Sequence, residues 1–269
     1  MIHKLFAATK ILVHGHRGAR ALRPENTLPA FDYAIEQGVD CLELDMAVTK
    51  DNVVVVSHDP HMAPDFATGP SGTRTIREMT LSQLRKWDVG AKRNVAFPKQ
   101  VAVAGTRVPT LDEVFSLAKK GAFDFNIETK IFKDKPELTP SPEEFVKLVL
   151  TQIRKHKVER RVILQSFDFR TLEAMKKLDP SIRLSALLEP GNYDFVEVGR
   201  RTGAGIISPH FSIVTPENVA AAHAAGLQVV PWTANTPKDW DRLIEAKSDA
   251  IISDDPGDLL AYLKERGLH

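Results

Sequence analysis

The 269-residue sequence contains a single cysteine, Cys41, and has almost no net charge, because 36 Lys and Arg residues oppose 35 Asp and Glu residues. One cysteine excludes an internal disulfide framework and any zinc site built from several thiolates. The formal charge of +1 removes the electrostatic basis for binding a polyanion or for a polybasic membrane protein. The composition therefore predicts that nucleic acid is not a partner.

The sequence also lacks long hydrophobic runs. No stretch approaches the roughly 18 uninterrupted apolar residues of a membrane-spanning helix, so we expect no stable membrane insertion. The N-terminal segment has no long apolar region and no clear cleavage site, which predicts a cytoplasmic protein. A signal peptide removed beforehand would instead place the protein in the periplasm or outside the cell. The sequence does not indicate an oligomeric state.

Short apolar or β-branched runs alternate along the chain with amphipathic segments. The predicted strands are Ile11–Gly15, Cys41–Val48, Phe123–Thr129, Val162–Gln165, Ile182–Leu188, Gly205–Ser208, Gln228–Trp232 and Ala250–Ser253. The predicted helices lie near residues 28–37, 111–120, 142–156, 169–178, 193–201, 216–225, 237–246 and 256–266. Eight such repeats in about 250 residues predict an α/β protein with a (β/α)8 TIM barrel, formed by residues 1–269 as a single domain. An open doubly wound sheet is the alternative.

The alternation fails between about Asp59 and Arg107, where loops surround one short predicted helix near Leu81–Trp87. Structureless connections of this length are uncommon inside compact domains. We therefore expect residues 59–108 to form a small insertion subdomain, after the second strand region, over one end of the barrel.

Polar side chains gather at the C-terminal ends of the predicted strands. They are His14, His16, Glu43, Asp45, His58, Glu128, Lys130, Gln165, His210, Trp232 and Asp254. In a barrel these ends form one rim, and the active sites of such barrels lie there. The sequence therefore predicts one site assembled from many strands.

Two carboxylates, Glu43 and Asp45, are two residues apart, so they project from the same face of their strand. Glu128 and Lys130 share a face of a later strand by the same rule. Buried carboxylates repel each other unless a cation compensates. Three of them offer only oxygen ligands, which suit Mg²⁺ or Ca²⁺. The alternative is a salt-bridge network inside the barrel, with Lys130 as the counter-charge.

The tripeptide His16-Arg17-Gly18 lies at a strand end, where an arginine can grip a phosphate and a histidine can transfer protons. We expect His14 to be a core histidine and Cys41 a small buried hydrophobe rather than a nucleophile. The other histidines are expected in the tail, in loops or on helix surfaces, outside the site. They are His3, His61, His156, His223 and His269.

Taken together, the ordered motifs resemble the glycerophosphodiester phosphodiesterase family. The motifs are His16-Arg17-Gly18, Pro24-Glu25-Asn26-Thr27, Glu43-Leu-Asp45, His58-Asp59, Pro109-Thr-Leu-Asp-Glu113, Glu128-Thr-Lys130, Gln165-Ser-Phe167, Trp232-Thr-Ala-Asn235 and Asp254-Asp-Pro256. They extend from about residue 11 to 260, and residues 59–108 resemble the insertion of that family. Each motif is weak alone, but the ordered set is specific.

The resemblance implies a TIM barrel that hydrolyses glycerophosphodiesters, such as glycerophosphocholine or glycerophosphoethanolamine, to glycerol 3-phosphate and an alcohol. It implies that a divalent metal, Mg²⁺ or Ca²⁺, is held by Glu43, Asp45 and Glu128. The implied catalytic acid and base are His16 and His58. The implied substrate-binding residues are Arg17, Lys130 and Trp232. The resemblance further implies that a neighbouring hydroxyl of the substrate is the nucleophile, giving a cyclic phosphate that water opens.

Some features stay open at this point. The roles of Glu25, Asn26 and Gln165 are not assigned, and the sequence departs from the family pattern at Ala234 and around Glu189–Asn192, which could alter the leaving-group pocket. A phospholipase D-like enzyme acting on lysophospholipids or sphingolipids is a close alternative. A metal-dependent lyase or isomerase with Lys130 as base, and an inactive barrel that only binds ligands, are the more distant ones.

Overall fold

Eight parallel strands form the centre of the protein in the computed structural model, which describes residues 10–269. The strands are β1 Leu12–Gly15, β2 Cys41–Val48, β4 Asp124–Thr129, β5 Val162–Ser166, β6 Arg183–Leu188, β7 Ile206–Pro209, β8 Gln228–Val229 and β9 Ala250–Ser253. An additional strand, β3 Val54–Val56, pairs antiparallel to β2. The order around the sheet is β8-β7-β6-β5-β4-β2-β1-β9. This confirms the predicted (β/α)8 barrel over the open doubly wound sheet.

The barrel is nearly closed at the junction of β8 and β9. β8 is shorter than the predicted Gln228–Trp232 because Pro231 lacks an N–H group and cannot donate to a strand partner. The backbone N–H groups of Asp249 and Ile252 donate to the carbonyl oxygens of Val229 and Pro231, each over 3.0 Å. These bonds join the first and last edges of the sheet.

Helices cover the outside of the barrel and follow the predicted positions closely. They are α1 Leu28–Gln37, α2 Leu81–Leu84, α3 Leu111–Phe115, α4 Pro142–His156, α5 Phe169–Leu178, α6 Phe195–Thr202, α7 Pro216–Ala224, α8 Pro237–Glu245 and α9 Pro256–Glu265. Side-chain caps define their starts. In α3, for example, the Thr110 hydroxyl accepts from the Glu113 N–H group, and the Glu113 carboxylate accepts from the Thr110 N–H group. At the end of α1, Gly38 has a φ of 89°, which a glycine adopts without a Cβ clash.

Strand alternation separates two apolar layers. Leu42, Leu44 and Met46 point outward and are fully buried beneath the helices, as predicted. The barrel interior contains a smaller apolar cluster. Its members are Ile163, Ile206, Val230, Ala250 and Ile252, with Trp232 packed against it. The polar side chains of the alternate positions therefore meet at the end of the barrel that this cluster does not fill.

Residues 59–108 contain little regular structure, namely the turn Ile76–Glu78 and α2, which ends at Leu84 rather than at Trp87. The segment packs around a separate apolar cluster, which consists of Ala47, Val55, Met62, Ala67, Ile76, Met79, Leu84, Trp87 and Val108. The Gln100 side chain connects the segment to the barrel. Its Nε2 atom donates to the carbonyl oxygens of Arg20, over 2.7 Å, and Arg23, over 3.1 Å. The status of the segment as a subdomain stays a prediction.

Within residues 10–269, no helix combines the length and the apolar composition needed to cross a membrane. The expectation that His3 belongs to a tail and the interpretation of the N-terminal segment concern residues 1–9, which lie outside the described part of the chain.

Candidate active site

Three carboxylates from two neighbouring strands form the centre of the site. Glu43 and Asp45 lie on β2, and the parallel register pairs Asp45 with Glu128 of β4. One carboxylate oxygen from each lies within 4.8 Å of the others. Their residues are only 2%, 1% and 6% exposed. Adjacent parallel strands thus bring residues 85 positions apart into one cluster of oxygen ligands.

The cluster carries more negative charge than its surroundings stabilise. Burial and the neighbouring Asp45 raise the pKa of Glu43 well above its usual range. Burial also raises the pKa of Glu128, to about 7, although Lys130 opposes the shift. Burial acts on Asp45 in the same direction, but Arg17, His58 and Lys130 outweigh it and hold the pKa of Asp45 below its usual range. A divalent cation would offset both the cost of burying these carboxylates and their mutual repulsion.

Amide side chains orient the carboxylates. Gln165 Nε2 donates to Glu43 Oε1 over 2.8 Å, and Gln165 Oε1 accepts from Asn126 Nδ2 over 3.0 Å. Asn26 Nδ2 donates to Asp45 Oδ2 over 2.9 Å. Each of these two amides donates to only one oxygen of its carboxylate, and such supporting contacts are typical of metal sites. The three acids and their supports therefore fit a hard divalent cation.

Two cations flank the carboxylates. Lys130 Nζ lies 2.8 Å from Glu128 Oε1 and 3.9 Å from Asp45 Oδ1. The Arg17 guanidinium lies 3.1 Å from Asp45 and 2.6 Å from Glu25. These carboxylates outweigh burial and raise the pKa of both Lys130 and Arg17. Both side chains therefore stay charged where an anionic substrate would arrive.

The turn after β1 gives Arg17 its position. Gly18 has a φ of +86°, and a Cβ there would lie 2.7 Å from the Ala30 carbonyl carbon. Only glycine therefore lets the turn approach α1. The Asn26 N–H group donates to the Arg17 carbonyl oxygen over 3.0 Å, and the Arg17 N–H group donates to Glu43 over 2.9 Å. The backbone of Arg17 is therefore held between the loop and the carboxylates.

His16 is held through its Nδ1 atom. This atom lies 2.5 Å from Asp254 Oδ1, and Asn235 Nδ2 donates to the other Asp254 oxygen over 2.7 Å. The Nε2 atom is left facing the carboxylates, 3.9 Å from Glu43. Burial lowers the pKa of His16, although Asp254 acts to raise it. His16 thus presents one ring nitrogen to the site.

His58 approaches the cluster from β3. Because β3 runs back along β2, the Ser57 N–H group donates to the Asp45 carbonyl oxygen over 2.9 Å. His58 Nδ1 lies 2.7 Å from Asp59 Oδ1, and the His58 side chain is 33% exposed. Each histidine therefore has a carboxylate partner at Nδ1.

These side chains surround one cavity of about 400 Å³. Its lining consists of His16, Arg17, Arg20, Glu43, Asp45, His58, Glu128, Lys130, Gln165, Phe167, Leu187, Glu189, Trp232, Thr233 and Ile252. Trp232 is fixed by a hydrogen bond from Nε1 to the Ser208 carbonyl oxygen over 3.0 Å. All eight residues that the sequence predicts as site residues lie in this lining, while their individual roles stay predictions.

Apart from His16 and His58, no histidine of residues 10–269 belongs to the cavity lining, although the His210 ring packs edge to face against Trp232 and its Nδ1 atom lies 2.7 Å from Ser212 Oγ. His14 is buried in the barrel, as expected, and Cys41 is buried too. The remaining histidines of the described part contact a carboxylate or hydroxyl elsewhere. The pairs are His61 with Thr75, His156 with Asp112, His223 with Asp249, and His269 with Asp40. Sequence reasoning placed Asp254 at the rim but did not find its contact with His16, and it missed Arg20 and Asn235 as parts of the site.

Residues 16–258 match the model of the glycerophosphoryl diester phosphodiesterase family. A glycerophosphodiester phosphodiesterase from Caldanaerobacter subterraneus is 36% identical over 258 residues, which cover 96% of this chain and 100% of that protein. A structure from Silicibacter pomeroyi, described as a candidate glycerophosphoryl diester phosphodiesterase, has a TM-score of 0.90 and 33% identity, covering 97% of this chain and 95% of that one.

A more distant structure shares the fold. It is an Oleispira antarctica phosphodiesterase in complex with the product sn-glycerol-3-phosphate, with a TM-score of 0.81 and 22% identity, and it covers 94% of this chain and 96% of that one.

Proposed function

The chain belongs to the glycerophosphoryl diester phosphodiesterase family and is an enzyme of that class, and from this we propose a metal-assisted hydrolysis in which His16 and His58 transfer the protons. The proposed substrates are glycerophosphodiesters such as glycerophosphocholine and glycerophosphoethanolamine, cleaved to glycerol 3-phosphate and an alcohol. The observation that carries this proposal is a single cavity lined by three buried carboxylates, two cations and two histidines.

The proposed metal ligands are Glu43, Asp45 and Glu128. Their fit rests on the oxygen-only donor set and on the close approach of three buried carboxylates, and this burial raises the pKa of Glu43 and Glu128. When bound, Mg²⁺ or Ca²⁺ would offset the negative charge of the phosphodiester and of the transition state. Arg17 and Lys130 would bind the phosphate oxygens and hold the phosphorus beside the histidines.

The two histidines share the acid and base roles. One accepts the proton of the attacking hydroxyl, and the other protonates the departing alcohol oxygen. Asp254 and Asp59 bind the Nδ1 atoms of His16 and His58, so in each ring Nε2 is the atom available for transfer. We propose that a neighbouring hydroxyl of the substrate attacks first, and that water then opens the cyclic phosphate.

The family assignment sets aside a lyase or isomerase and an inactive barrel. Hydrolysis of lysophospholipids stays an outcome of the substrate test. Release of the phosphomonoester product, glycerol 3-phosphate from glycerophosphodiesters or lysophosphatidate from lysophospholipids, would be measured with chelator and after restoring Mg²⁺ or Ca²⁺. We expect chelator to abolish turnover and one or both ions to restore it. Turnover that is insensitive to chelator would contradict the metal assignment.

The acid–base assignment predicts that His16→Ala and His58→Ala each reduce kcat by about 10²–10⁴-fold, because each removes a proton-transfer group. His223→Ala is the matched control, since His223 lies on α7 and contacts Asp249. Wild-type turnover of glycerophosphocholine by both site variants would rule the mechanism out.

A further inference from the structure

A row of aromatic rings extends along the cavity from Lys130. Lys130 Nζ lies 5.8 Å from the centre of the Phe167 ring. The Phe167 and Trp232 ring centres are 5.4 Å apart, and those of Trp232 and His210 are 5.2 Å apart, with both pairs edge to face. Phe167 and Trp232 belong to the cavity lining, so their rings offer aromatic surface to a bound molecule.

Glu189 lies near the far end of this row. It follows β6 directly, and the His210 N–H group donates to the Leu188 carbonyl oxygen over 2.8 Å, which brings Glu189 close to His210. The carboxylate interacts electrostatically with the His210 ring, and Glu189 belongs to the cavity lining. It is thus the fourth acidic residue of the cavity lining, separate from the three carboxylates Glu43, Asp45 and Glu128.

The Glu189 carboxylate is not neutralised by its neighbours. Among the ion pairs within 4 Å that involve residues 10–269, none includes Glu189. Burial lowers the pKa of His210 despite Glu189, so that ring is uncharged near pH 7. The nearby Arg242 guanidinium donates to the Phe211 carbonyl oxygen over 2.7 Å and stacks on the Phe211 ring. The row therefore begins at a cation, Lys130, and ends near an unpaired anion.

We propose that Glu189 and Trp232 form a subsite for a positively charged alcohol portion of the substrate, an ammonium such as that of choline or ethanolamine. This rests on the proposed function, in which Lys130 binds the phosphate. A zwitterionic phosphodiester has the matching order of charges, with its phosphate toward Lys130 and its ammonium toward Glu189. Aromatic faces and carboxylates are the two groups that recognise such cations.

The test uses two substrates of the same shape. Glycerophosphocholine carries the ammonium, and glycerophospho-3,3-dimethylbutanol replaces its nitrogen by carbon, which removes only the charge. An exposed cation–π contact and an exposed ion pair each favour a bound cation by about twofold to threefold. We therefore expect wild-type kcat/KM to favour the charged ester about fivefold to tenfold, mainly through KM.

Glu189→Gln is expected to reduce this preference to about twofold, the part that the aromatic face supplies. Glu189→Lys should reverse it, and Glu197→Gln, an exposed glutamate on α6 outside the cavity, should preserve it. The proposal is overturned if wild type shows no preference, or if Glu189→Gln lowers kcat/KM for both esters equally. If wild type hydrolyses neither ester, the proposed function fails. The subsite is then tested by calorimetry, in which the ratio of the two binding constants replaces the ratio of kcat/KM.

Discussion

At the scale of single residues, the site depends on contacts that fix side chains already placed by their strands. Asp254 is the clearest case, because one of its oxygens binds His16 Nδ1, while the other oxygen and the Asp254 N–H group contact Asn235. A carboxylate at that position favours the tautomer with the proton on Nδ1. Nε2 then stays free on the cavity side, where proton transfer would take place.

Replacing Asp254 by Asn is expected to lower kcat for glycerophosphocholine by about 10²–10⁴-fold with little change in KM, since an amide can donate to Nδ1 and stabilise the wrong tautomer. Steady-state kinetics and ¹⁵N shifts of the His16 ring would test both effects. Asp255→Asn is the control, because Asp255 caps α9 and pairs with Lys99 instead. An Asp254→Asn enzyme with normal kcat and an unchanged tautomer would contradict the positioning role.

His14 makes stability depend on pH without contributing to the cavity lining. Burial, opposed by Asp40 and assisted by Arg183, lowers the pKa of His14 from 6.5 to about 4. Between these two values the unfolded chain binds a proton at His14 that the folded protein does not, so the free energy of unfolding falls with falling pH. The shift corresponds to about 3 kcal/mol of stability.

We therefore expect denaturant melts of the wild type to show this loss between pH 6.5 and pH 4, and those of His14→Asn to show a smaller one. His61→Asn, which changes a histidine hydrogen-bonded to Thr75 on the surface, should retain the wild-type pH dependence. Equal slopes for the wild type and His14→Asn would show that His14 is not responsible.

At the scale of elements, the barrel and residues 59–108 are stabilised by different apolar clusters. The helices and strands share the large outer core, whereas the segment packs around Trp87, Met62 and their neighbours. Trp87 is 4% exposed, and its ring lies so close to Gly69 that a Cβ there would clash with it. We propose that this second cluster lets the segment unfold separately from the barrel, as a subdomain.

Truncating Trp87 to Ala removes the largest member of the second cluster and is expected to cost about 3–5 kcal/mol. In hydrogen exchange, amides of residues 62–108 should then lose protection while β4 to β7 keep theirs. Leu243→Ala, a fully buried change in α8, should lower protection in the barrel instead. A uniform loss of protection in Trp87→Ala would contradict the separate subdomain.

At the scale of the whole molecule, the formal charge of +1 is a sum over charged side chains that are unevenly distributed. Three carboxylates lie inside the barrel, and Arg17 and Lys130 lie beside them. The folded protein alone brings these groups together, because the unfolded chain separates Glu43 and Glu128 by 85 positions. An ion that binds the cluster therefore stabilises the folded state over the unfolded one.

Saturating Mg²⁺ or Ca²⁺ at about 100 times its Kd should add about 2.7 kcal/mol to the free energy of unfolding and raise Tm. Glu128→Gln should lose this gain, since it removes a charged ligand, whereas Glu137→Gln on an exposed turn should keep it. Calorimetric melts with and without each ion provide the measurement. A wild-type Tm that neither ion changes would mean that the cluster is a salt-bridge network.

The sequence predicted the regular elements well because their signals are local. Cys41–Val48, Leu28–Gln37 and Pro142–His156 coincide with the expected bounds, since apolar periodicity and capping residues act within a few positions. The exceptions have physical causes. β8 ends early where Pro231 lacks an N–H donor, and α2 ends at Leu84, after which the chain turns so that Trp87 packs into the second apolar cluster.

By itself, the sequence predicted the barrel and its polar rim, because residue parity and strand ends can be read along the chain, and the resemblance of its ordered motifs to a known family selected the eight candidate site residues. Only the tertiary structure decided which side chains touch. It placed Asp254 against His16, a contact spanning 238 positions, and it placed Glu189 near the aromatic row. Such contacts depend on strand register and ring closure, which local patterns do not contain.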